Sequence, residues 1–331
     1  MKLTASPTSP EKEERKLIWD CEIWWNFNRK NAIIDFVKSG CSISAVRMHG
    51  VHVGRVRFPA PRKNANCKGK IMPIFNDINL DNWKESEIWT DSLWIISERD
   101  KSGKHNGFYH GNFVPQIPRQ LILRYTKKDE VVFDPFVGSG TTAYEAETSG
   151  RHFIGIDIQK NLVEQVQSKV DNKKYFSEII LGDSSKNTTF DKVSEILKKQ
   201  SKKNISLAIL HPPYANIIKF SNLKDDLSNA KSLKEFLEGF GSVLKNTISV
   251  LEKGRYLAIV IGDKYTAGQW IPLGFYCMNE AQKLGLTLKS IIIKNMEGNR
   301  AKQNKEGIWR YRALSSDYYI FKHEYILIFK K

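Results

Sequence analysis

Val131-Val132-Phe133-Asp134-Pro135-Phe136-Val137-Gly138-Ser139-Gly140-Thr141-Thr142 is the stretch that decides the fold of this chain. Its apolar opening reads as a buried strand, the Gly-Ser-Gly run as a tight turn, and Thr141–Thr148 as the helix that follows. A glycine-rich turn between strand and helix lets a ligand approach backbone N–H groups closely. No Lys-Ser/Thr pair follows the second glycine, so this is not a phosphate-binding loop of the Walker kind. Outward from it the pattern repeats. Apolar runs follow at 152–158, 175–181, 206–210, 256–261, 288–294 and 324–330, with helical patterns at 161–170, 190–200, 233–251 and 273–284. Strands alternating with helices predict an α/β fold. We expect a seven-stranded, mostly parallel sheet with helices on both faces, ending in an antiparallel hairpin.

The strand ends carry the chemistry. Gly155-Ile156-Asp157-Ile158 closes the second run, placing Asp157 19 residues after Gly138, where a carboxylate can accept from both hydroxyls of a ribose. Asp183, in Leu181-Gly182-Asp183-Ser184, closes the third run and is placed to accept from an adenine amino group. Together with the turn residues Asp134, Pro135, Phe136, Gly138, Gly140, Thr141 and Thr142, these describe a pocket for an adenosine-type cofactor. The fourth run ends in His211-Pro212-Pro213-Tyr214. Two prolines forbid both a continuing ladder and a helix start, so the backbone there is rigid. The carbonyls of His211 and Pro212 remain acceptors, and the Tyr214 ring offers a stacking face. This combination suits a planar exocyclic amine. Asp263, after the fifth run, is a secondary candidate for the same cleft edge.

The glycine-rich turn followed by an x-Pro-Pro-Tyr turn on the fourth strand resembles the N4-cytosine/N6-adenine DNA methyltransferase family. Gly111–Ile122 with Tyr125-Thr126 is similar to that family's cofactor-side segment, and His323–Lys330 to its last strand. The resemblance covers residues 105 to 331. It implies a Rossmann-like methyltransferase sheet and S-adenosylmethionine as methyl donor, with Pro115 and Gln116 on the cofactor side. It also implies a target base flipped out of double-stranded DNA. The catalytic set is then His211, Pro212, Pro213 and Tyr214, the amine attacking the sulfonium methyl directly with no covalent enzyme intermediate. No cysteine lies near this motif, which argues against attack at cytosine C5. The family usually has Asp, Asn or Ser where this chain has His211. A neutral imidazole can still accept one hydrogen bond. Because no acidic or Asn residue opens the motif, the reading leans to cytosine-N4, with adenine-N6 close behind. An RNA amino-methyltransferase and a non-catalytic nucleic-acid-binding relic of the fold are the alternatives.

Composition agrees with a polyanion partner. The 331 residues carry 52 Lys+Arg against 36 Asp+Glu, a net charge of +16. The excess is uneven, for Phe36 to Asn76 contains no acidic residue. Arg47, Arg55, Arg57 and Arg62 there, and Arg300, Lys302 and Arg310 near the end, are the candidate phosphate contacts. The second group is interleaved with Trp309 and Tyr311, which suits base stacking. A helix, a Ser39-Gly40 break and a second helix are read over Lys30–Val46. The organisation expected is a flexible tail at 1–15, a basic extension at 16–104 that recognises the target, and a catalytic domain at 105–331 with a DNA-contacting loop at 296–317. Six of the eight tryptophans lie in the first third, so several there should be buried. Four scattered cysteines give neither a metal spacing nor a disulfide framework. No apolar run nears ~18 residues and no signal-peptide pattern opens the chain, so a cytoplasmic enzyme without a membrane or metal is expected. A cognate restriction endonuclease would be a separate chain.

Overall fold

In strand β2 (Val131–Asp134), Val131 and Phe133 point to one face and Val132 to the other, and all three are buried. Neighbouring strands repeat this two-residue alternation, so the sheet has two apolar faces and must be covered on both. The computed structural model describes residues 15–17, 21–23, 26–28, 31–33, 75–105, 109, 111–214, 219–266, 268–296 and 306–331. Its main sheet contains β1 (Leu93–Trp94), β2, β3 (His152–Asp157), β4 (Ser177–Leu181), β5 (Ile205–Leu210), β6 (Leu251–Ile261), β7 (Thr287–Asn295) and β8 (His323–Lys330). Their spatial order is β1-β7-β8-β6-β5-β2-β3-β4. Strands β6, β5, β2, β3 and β4 run parallel, while β8 is antiparallel to both β6 and β7. The sequence pattern predicts seven strands. The eighth is the two-residue β1, which pairs with Ile293-Lys294 and is too short to show a period.

Among the described residues, six helices cover the sheet. Val131, Phe133, Ile154, Ala208 and Ile259 pack on one side with Phe190 and Val193 of α4 (Asn187–Lys199), Phe236 and Phe240 of α5 (Leu233–Val250) and Cys277 of α6 (Leu273–Lys283). Val132, Phe153, Leu207 and Val260 pack on the other with Ile117 and Leu121 of α1 (Gln116–Tyr125), Ala143 and Tyr144 of α2 (Thr141–Thr148) and Val166 of α3 (Lys160–Gln167). After β2 the chain winds outward through β3 and β4, then returns to place β5 on the other side of β2. That reversal opens a crevice at the carboxyl ends of β2 and β5, where α/β folds bind ligands.

The hairpin strands carry one irregularity. Pairing of β7 with β8 shifts between Leu288 and Ser290, leaving Lys289 as an extra residue. Beyond this bulge the register is regular and sets Lys294 opposite Glu324.

The chain divides into two units, Met1–Met72 and Pro73–Lys331. In the first, Arg15–Leu17 pairs with Cys21–Ile23 and Asn26–Asn28 with Asn31–Ile33, both antiparallel. The expected helix from Lys30 is therefore corrected at its start. Asn28 and Asn31 face each other across a two-residue connection, which favours a hairpin. The rest of Lys30–Val46 lies outside the described residues. Trp94 is buried with Ile96 in the second core, whereas Trp83 and Trp89 are exposed; Trp19, Trp24 and Trp25 lie outside the described residues. The expected loop at 296–317 contains a helix, α7 (Glu306–Leu314).

Candidate active site

The glycine-rich turn is held by backbone and short side chains. Gly138 and Gly140 sit at φ 54° and 90°. A Cβ on Gly140 would come 2.8 Å from Val166 Cγ1, so no other residue fits there without movement. Fully buried Asp134 accepts from the Phe136 N–H at 2.8 Å and from Thr142 Oγ1 at 2.6 Å. Burial pushes its carboxyl up to about 7, against those two donors. Asp134, Thr141 and Thr142 thus stand behind the turn and shape it, rather than lining the cleft. The Gln116 carboxamide bridges the Glu98 carbonyl and the Asp100 N–H, next to Pro115 at the start of α1, and neither residue is on the cleft wall. Asn112, Phe113 and Val114 form that wall instead, with Asn112 accepting from Ser139 Oγ at 2.6 Å.

Asp157 is placed by the same turn. Its Oδ2 accepts from the Gly138 N–H at 2.8 Å and its Oδ1 from the Gln159 N–H at 2.9 Å. Burial raises its carboxyl to about 6, while those N–H groups pull the other way. Asp183 accepts from both the N–H and Oγ of Ser185, and Ser184 Oγ donates to the Pro135 carbonyl at 2.7 Å. Pro135, Phe136, Gly138, Asp157 and Asp183 all line one cleft of about 900 Å³.

His211, Pro212, Pro213 and Tyr214 line the same cleft from the end of β5. Here side chains do the holding. Tyr214 Oη donates to Glu324 Oε2 at 2.9 Å and stands 3.3 Å from His211 Nε2. Glu324 Oε1 lies 3.0 Å from Lys294 Nζ, and both of these strand residues are buried. The Phe113 ring meets the imidazole edge-on at 4.8 Å. Desolvation lowers the His211 pKa to about 4, Lys294 adding to that and Glu324 opposing it. The ring is therefore neutral at pH 7. Burial and the Glu324 carboxylate push the Tyr214 phenol well above its ordinary value.

Asp263 lines the cleft but is fully engaged. It accepts from Trp270 Nε1 at 2.9 Å, from the Gly274 N–H at 3.1 Å and from Tyr325 Oη at 3.1 Å, tying the start of α6 to β8. Around the cleft rim Tyr265 meets Tyr318 at 4.5 Å and Trp270 meets Phe321 at 4.1 Å. Of the candidate phosphate contacts, Arg310 lies exposed on α7. Arg47, Arg55, Arg57, Arg62, Arg300 and Lys302 lie outside the described residues.

Lys294 and Glu324 escape a reading of the sequence by motif. Their signal is a charge inside each of two apolar strand patterns, at positions that face inward. Asn112 and Phe113 on the cleft wall fall within the Gly111–Ile122 segment read as cofactor-side, whereas Tyr109 and Phe220 carry no such signal. Among the described residues no helix is long and apolar enough to cross a membrane, and no cluster of metal-ligating side chains occurs.

A family model described as DNA methylase matches residues 8–168 and 205–331. A second, described as D12 class N6 adenine-specific DNA methyltransferase, matches residues 111–250. Among curated proteins, the Type II methyltransferase M2.LlaDCHI of Lactococcus lactis subsp. cremoris is 36% identical over 102 residues, 30% of this chain and 34% of that protein. M2.DpnII of Streptococcus pneumoniae, also a Type II methyltransferase, is 33% identical over 99 residues, 30% of this chain and 34% of that protein. The chain thus matches about a third of the length of these relatives. Among solved structures, TrmN from Thermus thermophilus aligns with a TM-score of 0.41 and 14% identity, over 66% of this chain and 49% of that one.

Proposed function

The chain belongs to this DNA methylase family, and from that premise we propose that it methylates an exocyclic amino group of a flipped base in double-stranded DNA. S-adenosylmethionine is the methyl donor. The observation that carries this reading is one cleft of about 900 Å³ with two unlike ends, an N–H-held carboxylate on one side and His211-Pro212-Pro213-Tyr214 on the other. The first end fits the donor: Asp157 is placed for the ribose hydroxyls, Asp183 for the adenine amine, and Phe136 and Ile158 give apolar walls. When bound, S-adenosylmethionine supplies a sulfonium methyl that a nitrogen lone pair takes directly, the C–S bonding pair staying on sulfur.

The remaining work falls to this chain's own groups. The neutral His211 ring and the Pro212 carbonyl accept hydrogen bonds from the target amine. That draws the nitrogen lone pair out of conjugation with the base ring. Tyr214, fixed through its hydroxyl, keeps the ring flat. The net charge of +16 supports DNA as the polyanion, with the basic stretches at both ends of the chain gripping its backbone.

Two observations bear on the base. The absence of Asp or Asn at position 211 favours cytosine-N4, and the match of residues 111–250 to the adenine-specific D12 class favours adenine-N6. The names of the relatives as Type II methyltransferases support a place in a site-specific restriction-modification system. The test is incubation of the full chain with S-adenosylmethionine and mixed-sequence duplex DNA, then nucleoside mass spectrometry, with RNA in a parallel arm. N6-methyladenine or N4-methylcytosine in DNA is expected. Finding 5-methylcytosine alone, or methyl transfer to RNA alone, would overturn the reading.

A further inference from the structure

The position where this chain departs from its family's usual residue is also held by a relay of side chains. His211 can offer a hydrogen-bond acceptor from only one ring nitrogen, and which one depends on where its proton sits. The chain of contacts behind it decides that. Glu324 is a carboxylate paired with the Lys294 ammonium at 3.0 Å, so towards Tyr214 it only accepts. Tyr214 has one hydroxyl proton, and it is given to Glu324 at 2.9 Å. The phenol oxygen then faces His211 Nε2, 3.3 Å away, with lone pairs only. A lone pair opposite a bare Nε2 would be repulsive, so the proton belongs on Nε2. Nδ1 is left as the acceptor, and among the described residues no group donates to it.

Resting on the amino-methyltransferase reading, we infer that Lys294, Glu324 and Tyr214 lock His211 as its Nε2–H tautomer, so that Nδ1 is the atom that accepts from the target amine and takes up the proton it sheds. Lys294 and Glu324 are positioning residues. Both also line the cleft, and towards His211 they act through Tyr214. The arrangement explains how an imidazole serves where Asp, Asn or Ser is usual, since two strand residues determine which nitrogen is bare. It also gives a reason for burying an ion pair beside a substrate cleft, where one charge alone would cost far more than it returns.

The experiment is a long-range 1H–15N correlation spectrum of the full chain carrying 15N-histidine, at pH 7.5 without ligands. The His211 signals are assigned by their loss in His211→Asn. A protonated Nε2 and a bare Nδ1 are expected in the wild type, and a shift toward a tautomer mixture in the Lys294→Met/Glu324→Met double variant. The double variant and Tyr214→Phe should each lower kcat about tenfold with KM for DNA unchanged within about twofold, and together lose no more than either alone. A wild-type spectrum with the proton on Nδ1, or fully additive losses, overturns the inference even if the double variant fails to fold. An Nε2–H spectrum from a protein that methylates no DNA would sink the amino-methyltransferase reading and the acceptor role with it, while the tautomer assignment stands.

Discussion

The two ends of the cleft are built on opposite plans. At the cofactor end, contacts join near neighbours: Asp134 holds Thr142 eight positions on, and Gly138 holds Asp157 nineteen positions on. The partners are mostly backbone N–H groups. At the amine end the partners are side chains from distant strands, with Tyr214 and Glu324 separated by 110 positions. The electrostatics differ too. Burial raises two carboxyls at the first end, Asp134 to about 7 and Asp157 to about 6, and lowers an imidazole to about 4 at the second. A backbone cradle tolerates changes in surrounding side chains but not in chain geometry. A side-chain relay shows the reverse sensitivity.

Substitutions can break that contrast or sharpen it. The largest effect is expected for Tyr214→Ala, which should lower kcat about 100-fold or more while shifting the cofactor Kd less than about threefold. Equal losses in both, by steady-state kinetics and calorimetry, would mean the ends are not separable. Gly140→Val should act on the other plan. Forcing a branched side chain to φ 90° against Val166 should cost about 2–4 kcal/mol in urea unfolding and weaken cofactor binding with it. Asp157→Asn should raise the cofactor Kd about tenfold, through loss of a charged acceptor. The pH response follows from the same groups. Asp157 is raised, so the folded state holds its proton between about 3.8 and 6, and this group's contribution to stability declines as pH rises through that window. His211 is lowered, so its contribution rises with pH between about 4 and 6.5. Cofactor affinity should fall below pH 6 as Asp157 gains its proton while His211 is still neutral, and that limb should be absent in Asp157→Asn. The smallest effect is expected for Arg310→Ala, which should reduce the salt slope of DNA binding by about one phosphate contact without altering cofactor affinity.

The same contrast explains which parts of the site are legible in the sequence. The cofactor end is written in one continuous stretch, Val131–Thr142, and in the next two strand ends. Strand and helix periods located every one of these elements, because a sheet buried on both faces leaves near-continuous apolar runs. His211–Tyr214 was legible for a similar reason, since two prolines end a strand without needing any partner. Lys294 and Glu324 were not. Their role depends on register between β7 and β8, which no local pattern states. The strand β1 was also hidden, because two residues show no alternation. Asp134 and Gln116 hold the chain behind the cleft rather than line it. A buried acceptor and a cleft-lining acceptor have the same letter in a sequence, and only burial and partners separate them.

The bulge at Lys289 gives the hairpin a meaning beyond closure of the sheet. Because side chains alternate, a slip of one residue would turn Lys294 away from Glu324 and onto the opposite face. The spare residue thus acts as an alignment shim, some five positions away from the charge it aims. Insertions or deletions in this outer hairpin should then behave as catalytic lesions in a chain that still folds, although they lie on a strand that contributes no motif.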